Sequence, residues 1–299
     1  MFQAHRKVLD FLSKSRKQER EAVEREALTF SVKAKTLGVT AITLRLPPHS
    51  PLYGGEHASS IDLPIDEVIT PFVIENRNWQ TDEVQFLSSH LPSAPCILFD
   101  IGANIGLFSR QMLHRMPSIK AAVCFEPSPI NIVFLRRNLN HLPQCVIVQA
   151  ALGEINGTLQ FFQDASNIGN YSLNQDAMRG KSFSTTSVPC LKATTENLLR
   201  GVPQELSELP ILWKSDTQGF DELIITTLPD SFWSHVHAGV MELWRISKPP
   251  VDYNRLASIL DLFPIRRYSD TPDKNVSAID IIEYCQGNDY FHKDLLFSR

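Results

Sequence analysis

The stretch Ile97–Ser109, "ILFDIGANIGLFS", decides the fold. It continues an apolar run, "CILFDI", that begins at Cys96. The run does not alternate, so it suits a strand buried on both faces. It closes on an acid, Asp100, and bends through Gly102, Asn104 and Gly106. Apolar residues then return at Phe108, Met112 and Leu113 with helical spacing. Gly102 permits a sharp turn and the close approach of a ligand to the backbone. A helix expected to start near Ile105 directs free N–H groups at the same place.

The rhythm continues downstream. "AAVCFE" reads as a second strand, and "CVIVQA" as a third. Between them Ser128 is expected to cap a helix with Pro129 at its first position and Val133, Phe134 and Leu139 on its inner face. Strand, helix, strand, helix, strand at this spacing means a parallel sheet with right-handed crossovers. After "TLQFF", a polar stretch from Gln163 to Ser187 and "SVPCL" come "PILWKSD" as a strand, "FDELIITTL" as a helix and "AGVMELW" as a strand. "FPIRRY" and "AIDIIE" are expected to close the sheet as an edge pair.

Upstream, His5–Leu28 is dense in charge of both signs and reads as a solvated helix. Leu44–Ser60, rich in Pro, Gly and Ser, reads as a loop. "TDEVQFLSSHL" reads as a short helix with Thr81 as N-cap and Val84, Leu87 and Leu91 on one face. The expected division is an N-terminal extension, residues 1–78, and an α/β domain, residues 79–299.

Composition narrows the function. The 299 residues carry 29 Lys and Arg against 33 Asp and Glu, a net charge of −4, so no basic excess advertises nucleic acid. The five scattered cysteines form no CxxC and suggest free thiols in a reducing compartment. No apolar leader or stretch of membrane-spanning length is evident. The expectation is a soluble, cytoplasmic protein. His235 and His237 have no third partner at a telling spacing, so no metal is expected.

The glycine spacing is not that of a dinucleotide fingerprint. G-x-G-x-x-G is missing, and Leu107 stands where a small residue is needed. A phosphate-binding P-loop would need a following Gly-Lys-Ser/Thr. Asp100 would repel a pyrophosphate and attract a sulfonium-bearing amino acid, which favours S-adenosylmethionine (SAM). Glu126, ending the second strand, is placed to accept both ribose hydroxyls. Ala151 and Leu152, after the third strand, are placed to border an adenine. A second acid-bearing strand end, "ILWKSDTQGFDEL", brings Asp216 to the same crevice, as a base for an acceptor hydroxyl or a partner for the donor's ammonium. Gln218 is placed to orient that hydroxyl. Lys214, two residues before Asp216, is expected to share its face and pair with it. Glu242 is a further acid for the acceptor side.

"FDIGANIG", "FEPSP", "RRNLNHL", "AALGE" and "KSDTQGFDEL", in this order, resemble the FkbM family of SAM-dependent methyltransferases, over about Pro95–Leu243. The resemblance implies the class I, Rossmann-like fold, a mostly parallel seven-stranded sheet flanked by helices. It implies O-methylation of a hydroxyl on a sugar, glycan or polyketide-type small molecule. It makes Asp100, Gly102, Asn104, Gly106 and Glu126 donor-site positions, with Ala103 and Pro127 beside them. Asn138, in the "RN" motif, supports the second helix. The family often has Glu at the positions of Gln218 and Asp221, which moves the catalytic assignment to Asp216 with Gln218. The competing expectations are a silent SAM-binding module and an NAD-dependent oxidoreductase or epimerase.

Overall fold

The computed structural model describes residues 25–26, 28–52 and 59–299. The helix expected over His5–Leu28 therefore lies almost wholly outside the described residues; residues 28–36 are helical. The first two strands, β1 (Ala41–Leu46) and β2 (Ser59–Pro64), pair as an antiparallel hairpin with Leu46 opposite Ser59. This corrects the loop expected over Leu44–Ser60, whose two ends are strand. Two helices follow, α1 (Ile69–Asn76) and α2 (Thr81–Ser89). The N-cap position of α2 belongs to Gln80, with left-handed backbone and no side-chain cap, and Thr81 is the first helical residue.

The central sheet begins with β3 (Cys96–Ile101), α3 (Leu107–Arg115), β4 (Ile119–Phe125), α4 (Asn131–Leu139) and β5 (Cys145–Val148). An insertion then builds a second sheet from β6 (Ala151–Gly153), β7 (Gly157–Asp164), β8 (Tyr171–Ser172) and β9 (Phe183–Lys192). The chain returns to the central sheet as β10 (Ile211–Ser215), β11 (Val236–Trp244), β12 (Ile265–Tyr268) and β13 (His292–Ser298). The seven strands lie in the order β12-β13-β11-β10-β3-β4-β5. The five from β11 to β5 are parallel, and β13 runs antiparallel to both β11 and β12. This is the class I methyltransferase arrangement. Strand order reverses between β3 and β10, and ligands of such sheets bind at the carboxyl ends beside that switch.

"AIDIIE" is not the partner of β12. It lies in the helix Ala278–Cys285, where a reciprocal Ser277–Asp280 capping box starts the first turn. Ala278, Ile281 and Cys285 face inward, and Ile279 is 69% exposed. A short apolar run of this kind fits either period, and the cap settles it. The strand beside β12 is β13. Around α4, the Ser128 hydroxyl accepts from the backbone N–H groups of Ile130 and Asn131, with the helix itself starting at Asn131. Val133 points outward, and Ile132, Leu135 and Leu139 form the inner face.

Both sheet faces are covered, as the unbroken apolar strands require. Ile97, Phe99 and Trp213 pack on one side with Phe232 and Trp233; Leu98 and Leu212 pack on the other with Met112 and Leu135. A third cluster joins the hairpin and α1 to the domain, with Leu46, Ile61, Leu63 and Val73 against Ile105, Leu107 and Phe134. Polar ties reinforce it. The buried guanidinium of Arg110 donates to Leu52 O, Asn138 O and Ser59 Oγ. Asn138 accepts from Asp62 N at 2.8 Å and donates to Asp62 O and Ile105 O. Its role is thus to fix β2 against the start of α3.

Candidate functional site

A cleft of about 390 Å³ opens at the carboxyl ends of β3, β4, β10 and β11, with Trp79, Gln80 and residues 167–171 of the insertion forming its other walls. That volume lies within the usual range for small-molecule sites. The two strand ends meet at its floor. Gly102 has φ +77°, and a Cβ there would stand 2.1 Å from Asp216 O. Only glycine fits this crossing.

One wall is built on Glu126. Its Oε2 accepts from Asn104 N and its Oε1 from Ser128 N, each at 2.8 Å. The carboxyl is thereby aimed by two backbone groups while each oxygen keeps a free lone pair. Burial pushes its pKa up to about 8, opposed by those two hydrogen bonds and by Lys214. Ala103, Asn104, Pro127, Ala151 and Leu152 line the same wall. Asn104 and Asn131 both donate to Ile168 O, which ties the insertion across it. Their own carbonyl oxygens, with Gln80 Oε1, are buried at the cleft and have no hydrogen-bond partner among the described residues. Buried acceptors of this kind need donors. The amine and hydroxyl groups of an adenosine and the ammonium of an amino acid supply them, so the residues fit SAM.

Two of the expected donor-site residues lie elsewhere. Asp100 is fully buried below the cleft floor and does not line it. Its carboxylate accepts from Ser109 Oγ at 2.6 Å and pairs with Lys214 Nζ at 2.9 Å. The reason is register: β3 and β10 align Asp100 directly with Lys214. The expected Lys214–Asp216 pair is therefore replaced by Lys214–Asp100. The ammonium also donates to Gly102 O at 2.8 Å. Burial opposes its charge, and Asp100 and Asp216 hold it protonated well above the usual lysine range. Gly106 also stands off the cleft. Its φ is +85°, and a Cβ would come within 2.8–3.0 Å of Leu135 and Leu139. It lets α3 pack on α4.

The far end of the cleft is a side-chain network. Asp216 Oδ2 accepts from Gln80 Nε2 at 3.1 Å, and its Oδ1 from Gln218 Nε2 at 2.6 Å. The same Gln218 amide donates to Glu242 Oε2 at 2.7 Å. Gln80 and Gln218 both hold left-handed backbone, with φ 46° and 57°, as does Asn104 at 52°. Such conformations cost of order 1 kcal/mol or more each and cluster at working sites. Glu242 also accepts from Trp244 Nε1 at 2.6 Å and pairs with His292 Nδ1 at 3.1 Å. Glu83 and Asp294 complete the acidic end. Burial raises Glu83, Glu242 and Asp294, the last to about 8; the charge of Asp216 adds to all three, that of Asp294 to Glu242 and that of Glu83 to Asp294. His235 and His237 lie at the opposite end of β11 and take no part.

His292, Asp294, Gln80 and Glu83 escaped the sequence reading. None sits in a strand-end motif. His292 and Asp294 arrive on β13, opposite Trp244 and Glu242 respectively, and only that antiparallel pairing brings them to the cleft.

Methyltransferase sdnD of Sordaria araneosa is 30% identical over 183 residues, 53% of this chain and 70% of the relative. Among solved structures, methyltransferase FkbM of Methylobacillus flagellatus KT matches with a TM-score of 0.41 at 12% identity, over 74% of this chain and 48% of that one. The chain thus spans about half of that bacterial protein. The plantazolicin methyltransferase BpumL, in complex with SAH, matches with a TM-score of 0.33 at 10% identity, over 73% of this chain and 81% of that one. No protein-family model matches the chain.

Proposed function

The chain belongs to the methyltransferase family that includes sdnD of Sordaria araneosa, and from that premise we propose that it is an FkbM-type, SAM-dependent enzyme that O-methylates a hydroxyl of a sugar, glycan or polyketide-type small molecule. The observation that carries this reading is the polarity of the cleft. One end offers backbone-aimed Glu126 and two unpartnered asparagine carbonyls; the other offers acids and amides in a connected network. The first suits a nucleoside, the second an acceptor with several hydroxyls.

SAM supplies an electrophilic methyl on a sulfonium. Glu126 takes the ribose hydroxyls, with Ala103, Pro127, Ala151 and Leu152 along the adenosine. Asp216, beside the Gly102 turn, takes the donor's ammonium. Gln218 spends its N–H donors on Asp216 and Glu242, which leaves its carbonyl oxygen to accept from a neighbouring hydroxyl of the acceptor and so hold the reacting oxygen in place. Holding that oxygen in line with the methyl carbon is itself worth several kcal/mol of the barrier.

The test is transfer of isotope-labelled methyl from SAM to a panel of monosaccharides, oligosaccharides and polyketide alcohols. A labelled methyl ether is the expected product. Tight binding of S-adenosylhomocysteine with no ether formed from any member, or label arriving on nitrogen or carbon, overturns the reading.

A further inference from the structure

We propose that His292 is the general base of the methyl transfer and that Glu242 is its positioning residue. This rests on the O-methylation reading above and goes beyond it by naming the group that takes the proton. A hydroxyl is a poor nucleophile until its proton is leaving, and a placed base adds about 10²–10⁴-fold.

The geometry is that of a histidine oriented by a buried carboxylate. The β11–β13 register sets Trp244 opposite His292. The imidazole stacks on the Trp244 indole at 4.7 Å between centroids and 21° between planes, which fixes the ring plane. Glu242 Oε1 lies 3.1 Å from Nδ1, which fixes its rotation. Glu242 is itself immobilised by Gln218 and Trp244, both donating to Oε2. Among the described residues no hydrogen bond or ion pair engages Nε2. The ring lines the cleft beside Gln218 and Asp216, and the side chain is 54% exposed, which gives the captured proton a way out.

One proton lies between Oε1 and Nδ1. Burial, with the charges of Asp216, Asp294 and Asp221, favours placing it on Glu242. The two N–H donors on Oε2 oppose this, and a cationic methyl donor in the same cleft opposes it further. With the donor bound, the proton sits on Nδ1 and Nε2 is free to accept. The acceptor oxygen then bonds to the methyl carbon as the carbon–sulfur bond breaks, and that electron pair stays on sulfur. The hydroxyl proton passes to Nε2. Burial disfavours the imidazolium so formed and Lys181 adds to this, while Asp216 opposes both and Glu242 faces Nδ1 at 3.1 Å. Solvent removes the proton.

Two measurements decide it on the full chain. ¹⁵N-resolved NMR of the histidine rings, in the protein alone and with SAM or sinefungin (a cationic, non-reacting analogue), reads the tautomer. The expected result is His292 protonated on Nδ1 and bare at Nε2 with the cationic ligand bound. An Nε2–H tautomer under both conditions overturns the proposal. His292→Gln is expected to lower kcat on a panel alcohol that the wild type methylates by about 10²–10⁴-fold, with S-adenosylhomocysteine affinity within twofold. Glu242→Gln is expected to lose less and to shift the His292 tautomer. Wild-type turnover matched by His292→Gln refutes the base and leaves O-methylation standing. A wild type that methylates no alcohol refutes O-methylation itself, and the base falls with it.

Discussion

β3 and β10 are neighbouring strands built alike: an apolar run, an acid, a turn with glycine, a helix. Yet Asp100 is sealed under the floor and Asp216 stands in the cleft. The difference is two residues of register. Asp100 lies inside its strand, level with Lys214. Asp216 lies past the end of its strand, level with the Gly102 turn, where its backbone N–H reaches Ile101 O. One acid therefore holds the two strand ends together from below, through a lysine that also holds Gly102 O. The other is presented by the platform so made. The same motif ends once in a buried ion pair and once in a carboxylate that lines the cleft.

The sharpest way to break this comparison is to neutralise each acid in turn. Asp100→Asn leaves the Lys214 ammonium buried without its partner, and removing one member of a buried pair costs about 3–5 kcal/mol. Urea unfolding is expected to show that loss. Lys214→Met made on top of it is expected to restore much of the stability, because both charges are then gone. Asp216→Asn is expected to cost under about 1 kcal/mol, within the range of ordinary half-exposed substitutions. Its effect falls on SAM affinity, measured by calorimetry. Equal stability losses at the two acids would abolish the distinction.

That distinction also marks where the sequence stops being legible. The parallel strands could be read because each is a continuous apolar run, and the turn after β3 because its glycines leave few alternatives. Glu126 followed from its place at a strand tip, and it does line the cleft. The Asp100–Lys214 pair could not be read. It depends on how two strands, separated by a whole inserted sheet, slide into register, and local spacing says only which residues share a strand face. β13 is harder still. "HKDLLFS" starts polar and has no strong period, and its two cleft residues acquire meaning only from the residues opposite them. Intrinsic preference also misplaced "AIDIIE", where a local cap outweighed β-branched composition.

Glu126 sharpens the comparison from the nucleoside side, through pH. Its carboxyl is raised to about 8 by burial. Between the unfolded-chain value near 4.5 and about 8, the folded protein keeps a proton that the unfolded chain has released. Its contribution to stability therefore declines as pH rises through that window. If Glu126 takes the ribose hydroxyls as proposed, ligand binding carries the opposite sign, because the ionised form is the better acceptor. S-adenosylhomocysteine affinity is expected to rise up to about tenfold per pH unit below about 8 and level off above it, with proton release seen by calorimetry in buffers of different ionisation enthalpy. Glu126→Gln is expected to weaken binding more than tenfold at pH 8 and to flatten the profile. A wild-type profile already flat from pH 6 to 8 would remove Glu126 from the ribose.

The smallest expected effect separates the two glycines of the opening turn. Gly102 and Gly106 are both left-handed, at φ +77° and +85°. At Gly102 a Cβ meets a backbone oxygen of the other strand end at 2.1 Å, which no side-chain movement relieves. At Gly106 it meets the ends of two leucines at 2.8–3.0 Å, and leucine tips can shift. Gly106→Ala is therefore expected to cost about 1–2 kcal/mol, the left-handed penalty plus mild overpacking. S-adenosylhomocysteine affinity should stay within twofold, since Gly106 touches α4 and not the cleft. A Gly106→Ala protein of near-normal stability that has lost the ligand would mean that the N-terminal end of α3, whose Leu107 and Phe108 line the cleft, itself grips the donor through its backbone.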